Sequence, residues 1–218
     1  MSLLTVGEAA ERLGVSTRQV QHLVAQGHLR QIARGVVDET SVDRVLAVRG
    51  ARQGRGWAEP TAWGAVAILS GNAAEWMGAS QRSRLRTQFR GLSPAQLVAR
   101  TRNRATAFRY AAHPASLSRL RAEIVDTSQA SAALGLAATA SVDGYVAVGE
   151  LDAVADRHGL VRDEEGQVTL RATSMDLAVV RVLAETAVTV AALDLAESLD
   201  SRERHAGLAA LERALERL

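Results

Sequence analysis

The sequence predicts an α+β protein that is mostly helical, on the basis of its composition, its helix caps and a few strand-like runs. Alanine, the residue with the highest helix propensity, accounts for 41 of the 218 residues, whereas only seven residues are aromatic. Charge and motifs divide the chain into an N-terminal domain over residues 1–50, a basic, mainly helical middle segment over residues 51–122 and an acidic α+β C-terminal domain over residues 123–218.

Charge is distributed very unevenly along the chain. Residues 1–122 contain 18 Arg and 7 acidic residues, a net charge of +11, whereas residues 123–218 contain 8 Arg and 17 acidic residues, a net charge of −9. All 26 basic residues are Arg, so every positive charge is permanent. Such asymmetry is typical of a chain in which one half faces a polyanion and the other half has a different task.

Composition excludes several classes of protein and site. Without Cys the chain cannot form disulfides, use a thiolate nucleophile or hold zinc through Cys. No uninterrupted apolar run approaches the roughly 18 residues that span a bilayer, and the first ten residues lack the charged and apolar regions of a secretory signal. We therefore expect a soluble protein of the cytoplasm that does not contact a membrane.

Two helix starts are predicted close together near the N-terminus. Thr5 and Glu8 have the spacing of a capping box, in which each side chain accepts a hydrogen bond from a backbone N–H at the start of a helix. Ser16 and Gln19 repeat this spacing, and the apolar residues that follow lie on one face of a second helix. Two short helices joined by a turn form a helix-turn-helix.

The next residues predict a short hairpin and a third helix. Residues 28–32 and 36–37 are the strand candidates, and Gly35 supplies the positive φ that the turn between them requires. A helix is expected over residues 41–49. Together with the two preceding helices, this pattern predicts a winged helix-turn-helix over residues 1–50.

The segment from Glu8 to Leu29 resembles the winged helix-turn-helix of MerR-type regulators and phage excisionases. In that family the second helix enters the DNA major groove and the wing contacts the backbone or the minor groove. The resemblance implies base contacts from the exposed residues of the second helix, since Arg forms two hydrogen bonds with guanine and Gln does the same with adenine. These residues are Thr17, Arg18, Gln19, Gln21 and His22. On the wing, Arg30 and Arg34 would contact phosphates.

The N-terminal domain has a net charge of only +1, from six Arg and five acidic residues. This is too little charge for tight DNA binding by the domain alone. We therefore expect a homodimer on DNA, or additional contacts from elsewhere in the chain. The alternative is a winged helix that binds another protein and leaves its polar face in solvent.

A basic surface is predicted for the middle segment. Between Met77 and Ala122 the sequence has ten Arg and no acidic residue. Three of these Arg recur every four residues and share one stripe of a predicted helix, and a Gly- and Arg-rich joint precedes them. Guanidinium groups match phosphate oxygens, which favours contact with nucleic acid. The expected phosphate contacts of this segment are Arg52, Arg55, Arg82, Arg86 and Arg90.

The basic surface has two alternatives to nucleic-acid contact. The Arg side chains could dock against the acidic half of the same chain, or they could form a solvated face that reflects codon usage. Arg100 and Arg104 also recur at the helical spacing of four residues. The lone His113, which precedes a Pro, is interpreted as a helix cap or a surface residue.

The C-terminal domain is predicted to mix strands and helices without catalytic chemistry. A strand is expected over residues 142–148, a hairpin over residues 160–173 that turns at Glu165-Gly166, and two helices near residues 185–198 and 201–218. The five His are dispersed, and the common nucleophile, metalloprotease and phosphate-binding motifs are absent. We therefore expect no catalytic residue, no bound metal, no cofactor and no enzyme activity.

A leucine seam in the last predicted helix has two possible uses. Its residues alternate spacings of three and four, which is typical of a helical dimer seam. The seam is only two heptads long, so packing within its own domain is the favoured alternative. The residues are Leu208, Leu211, Leu215 and Leu218.

A second resemblance extends over most of the chain. Residues 190–207, together with the Trp-containing segment 60–71 and the Arg-rich segment 80–86, resemble AbiEi-type antitoxins of actinobacteria. Members of that family belong to type IV toxin–antitoxin systems and are encoded beside a nucleotidyltransferase-like toxin. They repress their own operon through the winged helix and counter the toxin through the C-terminal domain. Neutralisation in this class does not require a tight complex, so either the toxin or its RNA substrate is an expected partner.

The two resemblances imply a DNA-binding transcriptional autorepressor that recognises inverted repeats in its operator and serves as an antitoxin. One alternative is a MerR-like regulator whose C-terminal domain senses a small ligand, although the chain lacks the long coiled-coil linker of that family. A further alternative is an RNA-binding protein that uses the Arg-rich middle segment.

Overall fold

The computed structural model describes residues 3–13, 15–25, 29–50, 56–136, 141–198 and 200–218. Within these ranges the protein is α+β and mostly helical, as the composition predicts. It contains a three-stranded sheet near the N-terminus and a five-stranded sheet in the rest of the chain.

The first sheet and three helices form the N-terminal unit, which we define as the described part of residues 3–50. In chain order its elements are β1 (Leu3–Thr5), α1 (Val6–Leu13), α2 (Thr17–Ala25), β2 (Gln31–Ala33), β3 (Val36–Asp38) and α3 (Glu39–Gly50). The strands are antiparallel in the order β1-β3-β2. Ala9, Val20, Val37 and Val42 are fully buried in the core of this unit.

The sequence did not predict strand β1. Its residue Leu4 lies opposite Val37 of β3, so β1 completes the small sheet. Three residues are too few to show an alternating pattern, and pairing with β3 is what makes them a strand. The other two strands and the three helices of the unit fall where the sequence predicts them, to within a few residues.

The remainder of the described chain, from Gly56 onwards, forms a single larger unit, which we call the body. Its helices are α4 (Glu59–Leu69), α5 (Ala79–Phe89), α6 (Pro94–Thr101), α7 (Leu117–Glu123), α8 (Leu151–Arg157), α9 (Leu177–Thr186), α10 (Thr189–Ala196) and α11 (Ser201–Glu216). Its strands are β4 (Thr106–Ala111), β5 (Val125–Asp126), β6 (Val142–Ala147), β7 (Val161–Arg162) and β8 (Val168–Thr173). The sheet order is β5-β6-β8-β4-β7, with β6 and β8 parallel and the other pairs antiparallel.

Each face of the five-stranded sheet has its own apolar core. On one face, alternate residues of β4, β6 and β8 pack with apolar residues of α7 and α8, such as Leu120 and Val154. On the other face, Tyr145 of β6 packs with α4, α9 and α10. Helix α4 is buried at every position from Ala62 to Leu69, since it lies inside this second core. The alternation along the strands therefore separates two helical layers.

The predicted boundary between residues 122 and 123 does not separate two structural units. Strand β4 belongs to the basic middle segment, yet it lies between β8 and β7, which belong to the acidic half. The core beside α4 likewise combines Trp63 and Leu97 with Val125 and Leu193. The change of charge along the sequence is therefore not a change of domain.

The hairpin predicted over residues 160–173 is wrong. Strands β7 and β8 do not pair with each other, because β4 is hydrogen-bonded between them. The backbone at Gly166 passes so close to β4 that a Cβ there would overlap the carbonyl group of Tyr110. A Gly next to acidic residues is typical of a turn, but here it permits close contact with another strand.

The C-terminal helices differ in part from their predicted positions. The residues of the helix expected near 185–198 are divided between α9 and α10. The two helices are separated at Ala187, where the backbone is extended. Helix α11 matches its prediction, and its leucine seam packs against the core of the body through the fully buried Leu211. At Gly207 a Cβ would lie 2.5 Å from the carbonyl oxygen of Ala192, so this Gly allows α10 and α11 to cross closely.

Candidate nucleic-acid interface

Capping residues position the first two helices. The backbone N–H of Thr5 donates to the Glu8 carboxylate at 2.7 Å, and the Glu8 N–H donates to the Thr5 hydroxyl at 3.2 Å. The Thr5 N–H and the Thr5 hydroxyl, which donates to the same carboxylate at 2.8 Å, lower the pKa of Glu8. At α2, the Gln19 N–H donates to the Ser16 hydroxyl at 3.3 Å. Thr5 and Glu8 therefore form the predicted capping box, and at the second helix Ser16 provides the predicted cap.

Helix α2 presents a continuous polar face to solvent. Val20 and Leu23 are buried against the rest of the N-terminal unit, which fixes the orientation of the helix. Four of the five predicted base-contacting residues are exposed on the opposite side, whereas Gln19 is half-buried at the margin of this face. The exposed four are Thr17, Arg18, Gln21 and His22. They lie close together because residues 17, 18, 21 and 22 share one side of a helix with 3.6 residues per turn.

The β2–β3 hairpin lies near the surface beside these helices. All three residues of β2 are exposed, and the turn has a positive φ of 80° at Gly35, as predicted. Arg34 in this turn and Arg30 just before β2 are also exposed. The backbone of Arg30 is held by two hydrogen bonds, since its N–H donates to the Ser41 hydroxyl and its carbonyl accepts from the Asp38 N–H. The hairpin therefore carries two exposed Arg on an anchored backbone.

The predicted phosphate contacts of the middle segment have different surroundings. Arg86 and Arg90 are exposed at the end of α5. Arg82 is half-buried, and its guanidinium donates to the carbonyl oxygen of Met77. Arg52 and Arg55 lie outside the described residues. Among the described members of this set, Arg86 and Arg90 are the two with exposed side chains.

Arg104 is buried and belongs to the interior of the body, not to a basic surface. Only 1% of its side chain is exposed. Its guanidinium donates to Asp194 at 2.7 Å, to Glu197 at 2.7 and 2.9 Å, and to the Tyr145 hydroxyl at 2.9 Å. Docking against the acidic half of the chain, one of the alternatives for the basic segment, therefore applies to Arg104.

A second buried Arg extends this network across the sheet. Arg171 of β8 forms a two-pronged ion pair with Asp143 of β6, at 2.7 and 2.9 Å, and donates to Glu197 at 2.6 Å. The Tyr145 hydroxyl in turn donates to Asp194 at 2.6 Å. The network thus contains two guanidinium groups and three carboxylates, so it has one more negative than positive charge when all of them are ionised.

The pKa values of Asp143 and Glu197 shift in opposite directions because burial and ion pairing have different weights at the two carboxyl groups. Burial raises the pKa of Asp143 to about 6, and the neighbouring Asp194 and Glu197 add to this effect, although Arg171 opposes it. Burial would also raise the pKa of Glu197, but its contacts with Arg104 and Arg171 outweigh burial and lower it. Of these two carboxyl groups, Asp143 therefore takes up a proton first.

The network borders a cavity of about 280 Å³ on the same face of the sheet. Its walls are polar, with Arg109, Asp143 and Thr169 on the strands and Asp200 and Glu203 at the start of α11. In the part of the chain that the structure describes, no group of His and acidic residues has an arrangement that could hold a metal ion. The carboxylates of the network are instead engaged by Arg, Tyr and Thr side chains, including Thr127 on Asp194 at 2.8 Å.

Sequence patterns do not predict this network, although the sequence contains one signal of it. Asp194 lies in the apolar run Val190–Ala196, where a carboxylate has to be buried together with a counter-charge. That counter-charge, Arg104, lies 90 residues earlier in the chain. Sequence spacing links neither residue to the other.

One carboxylate joins the N-terminal unit to the body. Asp43 of α3 accepts from Arg12 of α1 at 3.0 Å and lies 3.2 Å from the guanidinium of Arg204 in α11. Arg204 is itself held by a hydrogen bond from its guanidinium to the Ser198 carbonyl oxygen at 3.0 Å.

His113, which lies in the body, accepts from the Ala115 N–H at 3.2 Å and so caps a short 3₁₀ helix, as predicted.

Comparisons of the chain with protein-family models, with curated proteins and with solved structures found no match. Over the described ranges, no helix is both long enough and apolar enough to cross a membrane.

Proposed function

We propose that the protein is a DNA-binding transcriptional repressor that acts through its N-terminal unit. The observation that carries this proposal is the exposed polar face of α2, which is backed by Val20 and Leu23. A helix-turn-helix contacts base edges with such a face, and the adjacent β2–β3 hairpin corresponds to a wing. In this mode of binding Arg18 and Gln21 read bases, Thr17 and His22 flank them, and half-buried Gln19 contributes at the margin.

Phosphate contacts come from the exposed Arg beside this face and from the body. Arg30 and Arg34, both exposed at the β2–β3 hairpin, would contact phosphates of the DNA backbone. Exposed Arg86 and Arg90 supply further positive charge. Because the N-terminal unit has a net charge of only +1, we infer that two copies bind together on an operator with inverted repeats.

The biological role that we propose is autorepression by an antitoxin. Its support is the resemblance of residues 190–207 and of the Trp- and Arg-containing segments to AbiEi-type antitoxins. The partner would be a nucleotidyltransferase-like toxin or its RNA substrate, and we place this activity in the cytoplasm. Co-expression with the neighbouring reading frame tests the role, since an antitoxin restores growth that the toxin alone arrests.

Base readout by Arg18 is tested with duplexes selected from a random-sequence pool by the wild-type protein. Arg18→Ala should weaken binding to the selected duplex by about 1–3 kcal/mol and relax the preference at one base position. Binding to a random duplex should change little. Arg213→Ala, which removes an exposed Arg of α11 instead, is the matched control and should bind both duplexes like the wild type. Equal losses for Arg18→Ala on both duplexes would show that Arg18 reads no base.

A further inference from the structure

A groove of about 620 Å³ lies in the body where the chain enters α4. It is lined by Trp57 just before that helix, by Gln88 and Leu92 at the end of α5, and by Arg100 of α6. The lining thus brings together an aromatic ring, an amide, a guanidinium and an apolar side chain. This is a combination that recognises a flat, polar and negatively substituted ligand.

Trp57 is held in place before any ligand arrives. Its backbone N–H donates to the Arg100 carbonyl oxygen at 2.8 Å, and its own carbonyl oxygen accepts from the Asn103 side chain at 2.9 Å. The indole meets Phe89 edge to face, with ring centroids 6.3 Å apart and planes at 80°. The residue is half-buried, so part of the fixed ring remains accessible. A rigid aromatic platform binds a stacked partner at a low cost in conformational entropy.

Arg is the main charged residue around this groove, and the carboxylate of Glu59, which follows the lining residue Ala58, is hydrogen-bonded to Thr173 and Ser174. Between Met77 and Ala122 the sequence has no acidic residue. Arg84 is exposed one helical turn before Gln88 and shares its side of α5, although its Nε donates to the Ser80 carbonyl oxygen at 3.3 Å and it does not line the groove itself. The Arg102 side chain is also close, since its Nε lies 3.2 Å from the position that a Cβ at Gly56 would occupy.

From this geometry we propose that the groove binds single-stranded nucleic acid, with one base stacked on Trp57 and the adjoining phosphates on Arg84 and Arg102. Bases stack on aromatic side chains regardless of sequence, and Arg tracks the backbone. A duplex does not fit this site, because its bases already stack on one another. The proposal concerns a surface of the body and is independent of DNA reading by α2.

The two exposed Arg of α5 provide a matched pair for a test. Arg84 and Arg86 are two residues apart, which separates them by about 200° around the helix axis. Leu85 and Phe89 are buried between them, so the two Arg project on opposite flanks of α5. Both substitutions remove one exposed positive charge from the same helix, and of the two Arg only Arg84 shares a side of α5 with the lining residue Gln88.

Binding is measured by the fluorescence anisotropy of a labelled 12-nucleotide oligo(A) RNA at low salt. Trp57→Ala should weaken binding about 5- to 150-fold, the range for loss of one stacked base. Because Trp57 also packs on Phe89, Trp57→Phe serves as the variant that keeps the ring contact, and it should lose less affinity than Trp57→Ala. The same contact is followed by tryptophan fluorescence in a Trp76→Phe background, which removes the partly exposed Trp76. The RNA should quench the emission of Trp76→Phe and should not quench that of the double variant Trp57→Phe/Trp76→Phe.

The salt dependence tests the phosphate contact. Arg84→Ala should weaken binding and lower the slope of log affinity against log salt by about 0.7, the value for one phosphate contact on a single strand. Arg86→Ala should leave both the affinity and the slope unchanged. Equal effects of the two substitutions would show a general charge effect and overturn the proposal.

Two further results separate this proposal from the one for α2. Arg18→Ala should bind oligo(A) like the wild type, whatever its effect on duplex binding. An oligo(dA) strand should compete for the groove, because neither stacking nor phosphate contact requires a 2′-hydroxyl, whereas an unrelated duplex should compete poorly. If wild type fails to bind oligo(A) at low salt, or if Trp57→Ala binds it normally, the groove is not a nucleic-acid site.

Discussion

Arginine has two kinds of surroundings in this protein, and the two units provide an example of each. In the N-terminal unit, Arg18 and Arg34 extend into solvent beside a small core made of aliphatic residues. In the body, Arg104 and Arg171 are buried and are surrounded by carboxylates from distant parts of the chain. The same residue type is thus open to solvent at the first two positions and part of an internal ion-pair network at the other two.

The difference depends on the counter-charges. An exposed guanidinium is solvated by water and needs no partner, so it remains available to a phosphate. A buried guanidinium requires hydrogen-bonded carboxylates to offset its desolvation. A run of Arg in a sequence therefore indicates a nucleic-acid surface only where buried acidic residues do not lie opposite it.

The largest loss of stability is expected from a substitution that breaks the buried ion pairs of Arg104. Arg104→Ala leaves Asp194 and Glu197 without their main counter-charge, and should lower the free energy of unfolding by about 3–5 kcal/mol. Arg86→Ala removes an exposed Arg and should change it by less than about 0.5 kcal/mol. Urea denaturation followed by circular dichroism measures both. Similar values for the two variants would contradict the distinction between buried and exposed Arg.

A smaller effect concerns the excess negative charge of the network. The pKa of Asp143 is raised from its ordinary value of 3.8 to about 6 in the folded protein. The folded state therefore binds a proton that the unfolded state releases, and this contribution to stability is present below pH 3.8 and is lost as the pH rises through 6. In Asp143→Asn this pH dependence should be absent.

The measurement compares wild type with Asp143→Asn by urea denaturation at about pH 4.5 and about pH 7.5, on either side of the raised pKa. The stability of the wild type should fall relative to the variant by roughly 1–2 kcal/mol between these values, less than the full shift implies because 27% of the Asp143 side chain is exposed. A constant difference between the two proteins, or a difference of opposite sign, would show that Asp143 is ionised throughout this range.

The smallest effect concerns the link between the two units. Arg204 and Asp43 are 16% and 13% exposed, so their ion pair is only partly screened. A double-mutant cycle with Arg204→Gln and Asp43→Asn should give a coupling energy of about 0.5–1 kcal/mol. The equivalent cycle for Arg12 and Asp43, within the N-terminal unit, is the matched comparison. A coupling of zero for Arg204 would mean that this ion pair does not fasten the unit to the body.

Local features of this structure follow from the sequence, and long-range features do not. The caps at Thr5 and Ser16 and the positive φ of Gly35 depend on residues within one or two turns, so spacing predicts them. The polar face of α2 is likewise local, because helical periodicity alone decides which residues share a side.

The arrangement of the sheet and the buried network could not be predicted in the same way. Strand β4 pairs with β8 across about sixty residues, and nothing in either strand specifies that β4 separates β7 from β8. Arg104 has the same sequence spacing as the exposed Arg of α5, and its burial depends on Asp194 and Glu197. The Trp57 groove has no sequence signal of its own, because its lining comes from three elements that meet only in the folded body.

The position of β4 in the sheet has a consequence for the nascent chain. Residues 106–111 leave the ribosome well before residues 161–173, which supply both neighbouring strands. At roughly 5–20 residues per second, translation of the 62 residues from 111 to 173 takes roughly 3–12 s. During that interval neither hydrogen-bonding edge of β4 has its partner strand, and unpaired strand edges favour association between chains. Protection of this strand during synthesis therefore favours correct folding.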